Sequence, residues 1–452
     1  MIAEKIRWRE NDPEAYEQAR LAAVWHSRKP DRYPDGVLLA ESEQDVIDAV
    51  RLAGERDMKV KARSGGHSWT ASSVRDGGLL INLDGVDELS IDPENRTAEV
   101  RPGSRGRDLN RLLAEEGLFF PSGHCPTIAV GGFLLQGGWG WLSRKYGPAC
   151  TNVIGVDVVT ADGTVVHADE SENSDLLWAA RGGGSGFFGV VTKYYLKVHP
   201  YPTDIKRSVY VYSRDDMEEV LDWAVRMHDE WPLELELQIF GTPNQMAPED
   251  EDDRTLTILA FANCYSEADA TSALELLETC PARERALVAE TFVDATLDDL
   301  YAIIDEVARP ETAFAGDSLW TDAGAEEIVP VFMEMTDQLP TPESYVLIWP
   351  WPDHSLEGCA LSITGRHYMS PFAGWTDPSD EAKLAPWPGD QVRRVDHLSK
   401  GIQLADENLI GRPDSRYMTD ENTARLEELR DKWDPDRRFH SFLFGGGAEK
   451  SG

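Results

Sequence analysis

Arg63-Ser64-Gly65-Gly66-His67-Ser68-Trp69 (RSGGHSW, residues 63–69) is the stretch on which the reading of this chain turns. Two adjacent glycines can take positive φ, and consecutive backbone N–H groups around them have the composition of an anion nest into which a diphosphate fits. A histidine inside such a loop, His67, is either a hydrogen-bonding loop residue or a reacting group, and the loop by itself leaves both open. Upstream, residues 36–40 (GVLLA) read as a short strand and residues 42–56 carry helical spacing, with Ser42 suited to an N-cap. Residues 59–62 read as a second strand that runs into the loop, so the order strand, helix, strand, glycine-rich loop is βαβ-like.

Downstream, short β-type runs at 79–83, 88–91 and 97–100 are separated by Asp, Gly and Pro, and 105–116 returns to helical spacing. Residues 125–147 are dense in glycine and aromatics, a composition that marks a site more than a packing element. A strand at 153–160, the turn Ala161-Asp162-Gly163 and a strand at 164–168 follow. Gly184-Ser185-Gly186-Phe187-Phe188-Gly189 fits the G-x-G-x-x-G dinucleotide pattern, but a helical stretch (175–181) precedes it and a β-branched strand (190–198) follows. That order is the reverse of what a pyrophosphate at a helix N-terminus requires, and it argues against a Rossmann fold. Beyond Pro200 and Pro202 the pattern is α+β, with strands expected at 208–212, 233–240, 255–264, 345–349 and 359–366 and helices near 217–228 and 267–278. The acidic run 248–253 reads as a solvated hairpin loop. A Pro/Trp/Gly-rich stretch ends near Asp390, and an amphipathic helix at 422–433 stops before Asp434-Pro435.

Across 452 residues, 44 Lys+Arg oppose 81 Asp+Glu for a net charge of −37, which excludes nucleic acid as a natural partner. The length suggests two or three domains, at roughly 100–200 residues each. No window approaches the ~18 apolar residues of a membrane span, and the opening MIAEKIRWRE has neither an apolar signal core nor a twin arginine. A cytoplasmic protein without membrane contact is expected. Five scattered cysteines with no C-x-x-C predict neither a disulfide framework nor a metal site. The basic residues are 12 Lys and 32 Arg, so the acidic excess reads either as adaptation to high salt or as an arginine-favouring codon bias on an acidic surface.

The segments 63–69 (RSGGHSW), 122–132 (SGHCPTIAVGG), 137–147 (GGWGWLSRKYG) and 188–192 (FGVVT) together resemble the FAD-linked oxidases of the berberine-bridge-enzyme-like group, within the vanillyl-alcohol-oxidase flavoprotein fold. The resemblance is strong over about 35–200, good over 422–442, and carried in between by strand pattern alone. It implies an α+β protein: a two-subdomain PCMH-type FAD-binding domain (1–200), an antiparallel-sheet substrate domain with helices on one side (201–404), and a C-terminal segment (405–452) that returns to the FAD domain. His67 matches the histidine bonded to the flavin 8α-methyl carbon, which is chemically reasonable because a neutral imidazole is a nucleophile. Cys125 matches the cysteine that a subset of the group bonds to flavin C6, so the FAD is expected to be bicovalent; a small buried thiol is the alternative. By the same resemblance the backbone of Ser64, Gly65, Gly66, His67 and Ser68 binds the diphosphate, Arg63 is a further cofactor-binding residue, and Thr127, Gly131, Gly132, Gly137, Gly138, Tyr146 and Val191 line the ring and adenine portions.

The activity implied is hydride removal from an alcohol carbon of a bulky substrate, such as a sugar or secondary metabolite, with oxygen reoxidising the flavin to release hydrogen peroxide. Amine or alkaloid oxidation, and flavin binding without turnover, are the alternatives. Trp349, Trp351 and Trp375 are candidate stacking walls. Many relatives carry an Asn-Tyr pair whose tyrosine is the base; here the register of residues 401–408 (GIQLADEN) puts Ala405-Asp406 in that place. The base is therefore sought among Tyr368, His367, Tyr345 and Asp406. Strand alternation allows at most one of His367 and Tyr368 to face the flavin, and a tyrosine base is expected to need a nearby positive charge.

Overall fold

Strand Gly36–Leu39 runs into helix Glu43–Glu55, and the Ser42 hydroxyl caps that helix by accepting the Asp45 N–H at 3.2 Å. Val46, Ala49, Val50 and Ala53 recur at i, i+3, i+4 and i+7, and all four are fully buried against the sheet. The computed structural model describes residues 2–243, 254–307 and 311–444. In its first sheet, Val60–Arg63 and Gly36–Leu39 both pair parallel with Leu79–Asn82, and Ile6–Trp8 adds an antiparallel edge. The parallel pairing is what the intervening helix permits.

A five-stranded antiparallel sheet follows, in the order Leu89–Asp92, Thr97–Val100, Val190–Lys197, Val153–Val159, Val165–Asp169. The glycine pattern at 184–189 lies between helix Ser174–Ala180 and strand Val190–Lys197, so no helix N-terminus follows it.

The third sheet is antiparallel and holds eight strands among the described residues, with Val288–Ala295 at one edge and Ala313–Gly316 at the other. Helices Arg214–Arg226, Glu267–Glu275 and Ala325–Asp337 cover one face, where Val220, Leu274 and Phe332 share a core with Leu237, Ile239 and Ile348. Alternation then turns Gln238, Phe240, Tyr345, Leu347, Trp349, Tyr368 and Phe372 to the opposite face, which looks onto a cavity. Helix Leu297–Val307 packs on that side as well, its Tyr301 hydroxyl 2.8 Å from the Ser122 hydroxyl.

One expectation about this region is corrected. Residues 359–366 form no strand, because the N–H groups of Ala360 and Leu361 donate to the Arg181 carbonyl instead of to a sheet neighbour; the strand is His367–Trp375. The Pro/Trp/Gly-rich stretch contains that strand and a helix, Trp387–Arg394, with Pro388 in the first turn where its missing N–H costs nothing. The acidic run 248–253 lies outside the described residues.

After helix Asp420–Trp433, whose Lys432 pairs with Asp175 at 2.6 Å, the chain meets the first sheet. The Val60 N–H donates to the Arg438 carbonyl at 2.8 Å and the Val60 carbonyl accepts from the His440 N–H at 2.9 Å. No helix among the described residues is long and apolar enough to cross a membrane.

Candidate functional site

Loop 64–68 leaves the C-terminal end of strand Val60–Arg63 and enters the cavity. The N–H groups of Ser64, Gly65, Gly66, His67 and Ser68 donate to no other group among the described residues. Five consecutive unpaired donors in one loop are a nest that an anion completes. Gly65 is required by contact, since a Cβ there would sit 2.8 Å from the Ala129 nitrogen. Gly66 has φ +69° and its carbonyl accepts the Trp25 N–H at 3.1 Å. Ser64 Oγ accepts the Gly132 N–H at 2.9 Å, tying the loop to helix Val130–Leu135. Arg63 is spent on structure: its guanidinium donates to the Ala23 carbonyl, Asn82 Oδ1 and the Gly65 carbonyl at 2.9, 2.9 and 3.0 Å. Nearby, Arg105 Nη1 is buried without a hydrogen-bond partner.

His67 Nε2 is 3.1 Å from the Thr127 hydroxyl, and the imidazole stacks on Trp25 at 4.5 Å. Burial, with the Arg105 charge behind it, pushes the imidazole down to about 3, so the ring is neutral. Cys125 lines the same cavity, and burial together with the charges of Asp305 and Asp406 pushes its thiol up to about 12. It rests as a thiol, and its attack on an electrophile needs a proton acceptor.

Across the cavity, Asp406 is held by neutral donors. Its Oδ1 accepts from Trp69 Nε1 at 2.9 Å, and its Oδ2 accepts from the Tyr368 hydroxyl at 2.5 Å and Gln403 Nε2 at 3.0 Å. Burial raises the Asp406 carboxyl above its ordinary range. Tyr368 is raised too, by burial and then by the Asp406 charge, which reverses the expectation of a tyrosine lowered by a cation. Burial also raises Tyr345. His124 lines this chamber and pairs behind it with Glu236, Nε2 to Oε1 at 2.7 Å, and Gln238 Nε2 donates to the same Glu236 oxygen at 2.7 Å. Gln238 Oε1, Gln403 Oε1 and Trp349 Nε1 are buried there without partners, polar atoms placed for a ligand to satisfy.

The cavity thus gathers Arg63, Ser64, Gly65, Gly66, His67, Ser68, Cys125, Gly131, Gly132, Val191, Tyr345, Tyr368 and Asp406, and Thr127 touches it through His67. Besides Thr127, four predicted positions are not among its lining residues. His367 takes the other strand face, packed edge-on to His228 at 5.0 Å, as alternation next to Tyr368 dictates. Gly137 backs onto Leu361, and Gly138 onto Phe133 and Ala149, where positive φ and tight packing explain the glycines. Tyr146 stacks on His199 at 3.7 Å and bonds Tyr265. Trp349 is a wall, whereas Trp351 and Trp375 are buried elsewhere. Sequence reasoning missed Trp25, Trp69, His124, Glu236 and Gln238; only Trp69 and His124 lay inside quoted motifs, and no motif flagged the other three.

A family model for an FAD binding domain matches residues 34–169. The FAD-linked oxidoreductase nodO of Hypoxylon pulicicidum is 32% identical over 444 residues, 97% of each chain. Among solved structures, 6-hydroxy-D-nicotine oxidase of Arthrobacter nicotinovorans has the same fold at TM-score 0.84, with 20% identity over 96% of both chains. Berberine bridge enzyme of Eschscholzia californica follows at TM-score 0.80, with 19% identity over 99% of both. A nest-bearing loop, a shared cavity between the sheets and near-full-length similarity lead to one assignment: the chain belongs to the FAD-linked oxidoreductases, with the fold of berberine bridge enzyme.

Proposed function

We propose that the chain is an oxidase that takes a hydride from an alcohol carbon of a bulky, mainly apolar small molecule, with oxygen as the final acceptor. The observation that carries this reading is the 2.5 Å hydrogen bond from Tyr368 to Asp406 on the buried cavity wall. An alcohol carbon gives up hydride readily only as its O–H proton leaves, so a proton acceptor is needed beside it. The unpaired N–H groups of residues 64–68 and the buried Arg105 Nη1 fit the diphosphate of FAD, which when bound supplies the hydride acceptor. Tyr368 accepts the substrate proton while passing its own to Asp406, so no buried phenolate has to persist. Asp406, raised by burial, is the stronger proton acceptor for it. Phe240, Tyr345, Leu347, Trp349 and Phe372 wall the substrate and exclude water.

His67 and Cys125 are the proposed attachment points, supported by their shared cavity and by the neutral imidazole. Acid denaturation followed by absorbance and intact mass tests this in the wild type, His67→Ala, Cys125→Ala and the double variant. Flavin is expected to leave only the double variant; flavin leaving the wild type overturns covalent attachment.

Amine oxidation is the second reading, favoured by Asp406, whose partners Trp69, Tyr368 and Gln403 are neutral and leave its charge for a cationic substrate. Peroxide release is measured on matched panels of alcohols, sugars and amines. Turnover of amines alone overturns the alcohol reading. Undiminished turnover in both Tyr368→Phe and Asp406→Asn overturns the proton relay.

A further inference from the structure

We propose that Trp25 is a positioning residue for covalent flavin attachment, its indole fixing the plane of the His67 ring; this rests on the reading of His67 as an attachment point. Trp25 lies just after helix Pro13–Ala22, outside the residues matched by the FAD-binding family model. The two ring planes meet at 22° with centroids 4.5 Å apart, and Trp69 closes edge-on against the indole at 5.7 Å. All three side chains line the cavity.

The segment carrying Trp25 is fastened to the glycine loop along its length. Its own N–H donates to the Gly66 carbonyl at 3.1 Å, Arg63 Nε donates to the Ala23 carbonyl at 2.9 Å, and His26 Nε2 lies 3.3 Å from the Ser68 carbonyl. Trp25 is only half-buried, so filling a core does not account for so firm a mount. A histidine ring turns easily about its last side-chain bond, whereas bond formation needs an in-plane nitrogen lone pair aimed at one carbon. The stack fixes the ring plane, and Thr127 at Nε2 fixes its rotation within that plane, leaving the other ring nitrogen for the new bond. In that step an imidazole N–H and one 8α-methyl C–H break and a C–N bond forms. The two electrons pass through the isoalloxazine to dissolved oxygen, and with the two protons give hydrogen peroxide.

The test uses the full-length protein in a Cys125→Ala background, so that only the His67 link is read. Covalent flavin is measured by intact mass after acid denaturation, total flavin by absorbance before it, and folding by the thermal midpoint. Trp25→Phe is expected to keep the covalent fraction. Trp25→Ala and Trp25→Leu are expected to bind FAD and fold while the covalent fraction falls at least tenfold. Full attachment in Trp25→Leu, which fills space without an aromatic face, overturns the assignment of Trp25 alone. Absence of covalent flavin in Cys125→Ala itself overturns the His67 reading, and this proposal with it.

Discussion

Asp406 shows how one side chain sets the acid limb of the reaction. Its carboxyl is raised by burial, and it receives a proton only when ionised. Turnover is therefore expected to be present above that raised value and to fall as pH drops through it. Asp406→Asn should lower kcat by roughly 10²–10⁴-fold and remove the acid limb from the pH profile of peroxide release, while FAD binding persists. A profile of unchanged shape would mean that another group accepts the proton. At this scale the sequence was informative wherever a residue sat in a motif, as with His67 and Cys125, or where a motif was broken, as at Ala405-Asp406. It was silent on Glu236 and Gln238, because alternating polar residues in a strand look the same whether they meet solvent or a closed chamber. Only the pairing of strand Leu235–Pro243 in mid-sheet, which buries both, separates the cases.

Between elements, the Arg412–Asp317 pair joins the C-terminal segment to the edge of the large sheet. Nε donates to Oδ2 at 2.7 Å and Nη2 to Oδ1 at 2.8 Å, with Asn408 adding a third donor at 2.9 Å. Both side chains are buried, at 6% and 0% exposure, so removing one strands the other charge. Arg412→Ala should cost roughly 3–5 kcal/mol in urea unfolding. Asp317→Ala combined with Arg412→Ala should cost less than the sum of the single changes, because the stranded charge goes too. Legibility followed the same divide between local and distant partners. Helix Glu43–Glu55 carried its own cap and apolar stripe and could be read directly. Residues 359–366 have strand-like composition, yet their N–H groups are claimed by Arg181 from far along the chain, which no local window contains.

For the molecule as a whole, 37 carboxylates are left over even if every Lys and Arg is paired, and ion pairs such as Arg226–Asp222, Arg226–Glu326 and Arg285–Glu219 are exposed and individually weak. Raising sodium chloride from 0.1 to 1 M shrinks the screening length from about 10 to about 3 Å. The thermal midpoint should rise, by about 1 °C for each kcal/mol of repulsion removed from a chain of this length; a midpoint that falls with salt would mean that specific ion pairs outweigh net repulsion. The hydrogen bonds between Val60 and residues 438 and 440 carry a further consequence, which concerns time. The strand that launches the glycine loop waits for a partner some 380 residues further along, so at 5–20 residues per second its edge stays open for roughly 20–80 s of synthesis. The nucleotide-binding half cannot be finished before residues 438–440 have been made, and flavin capture is expected to wait for them instead of accompanying synthesis of the loop.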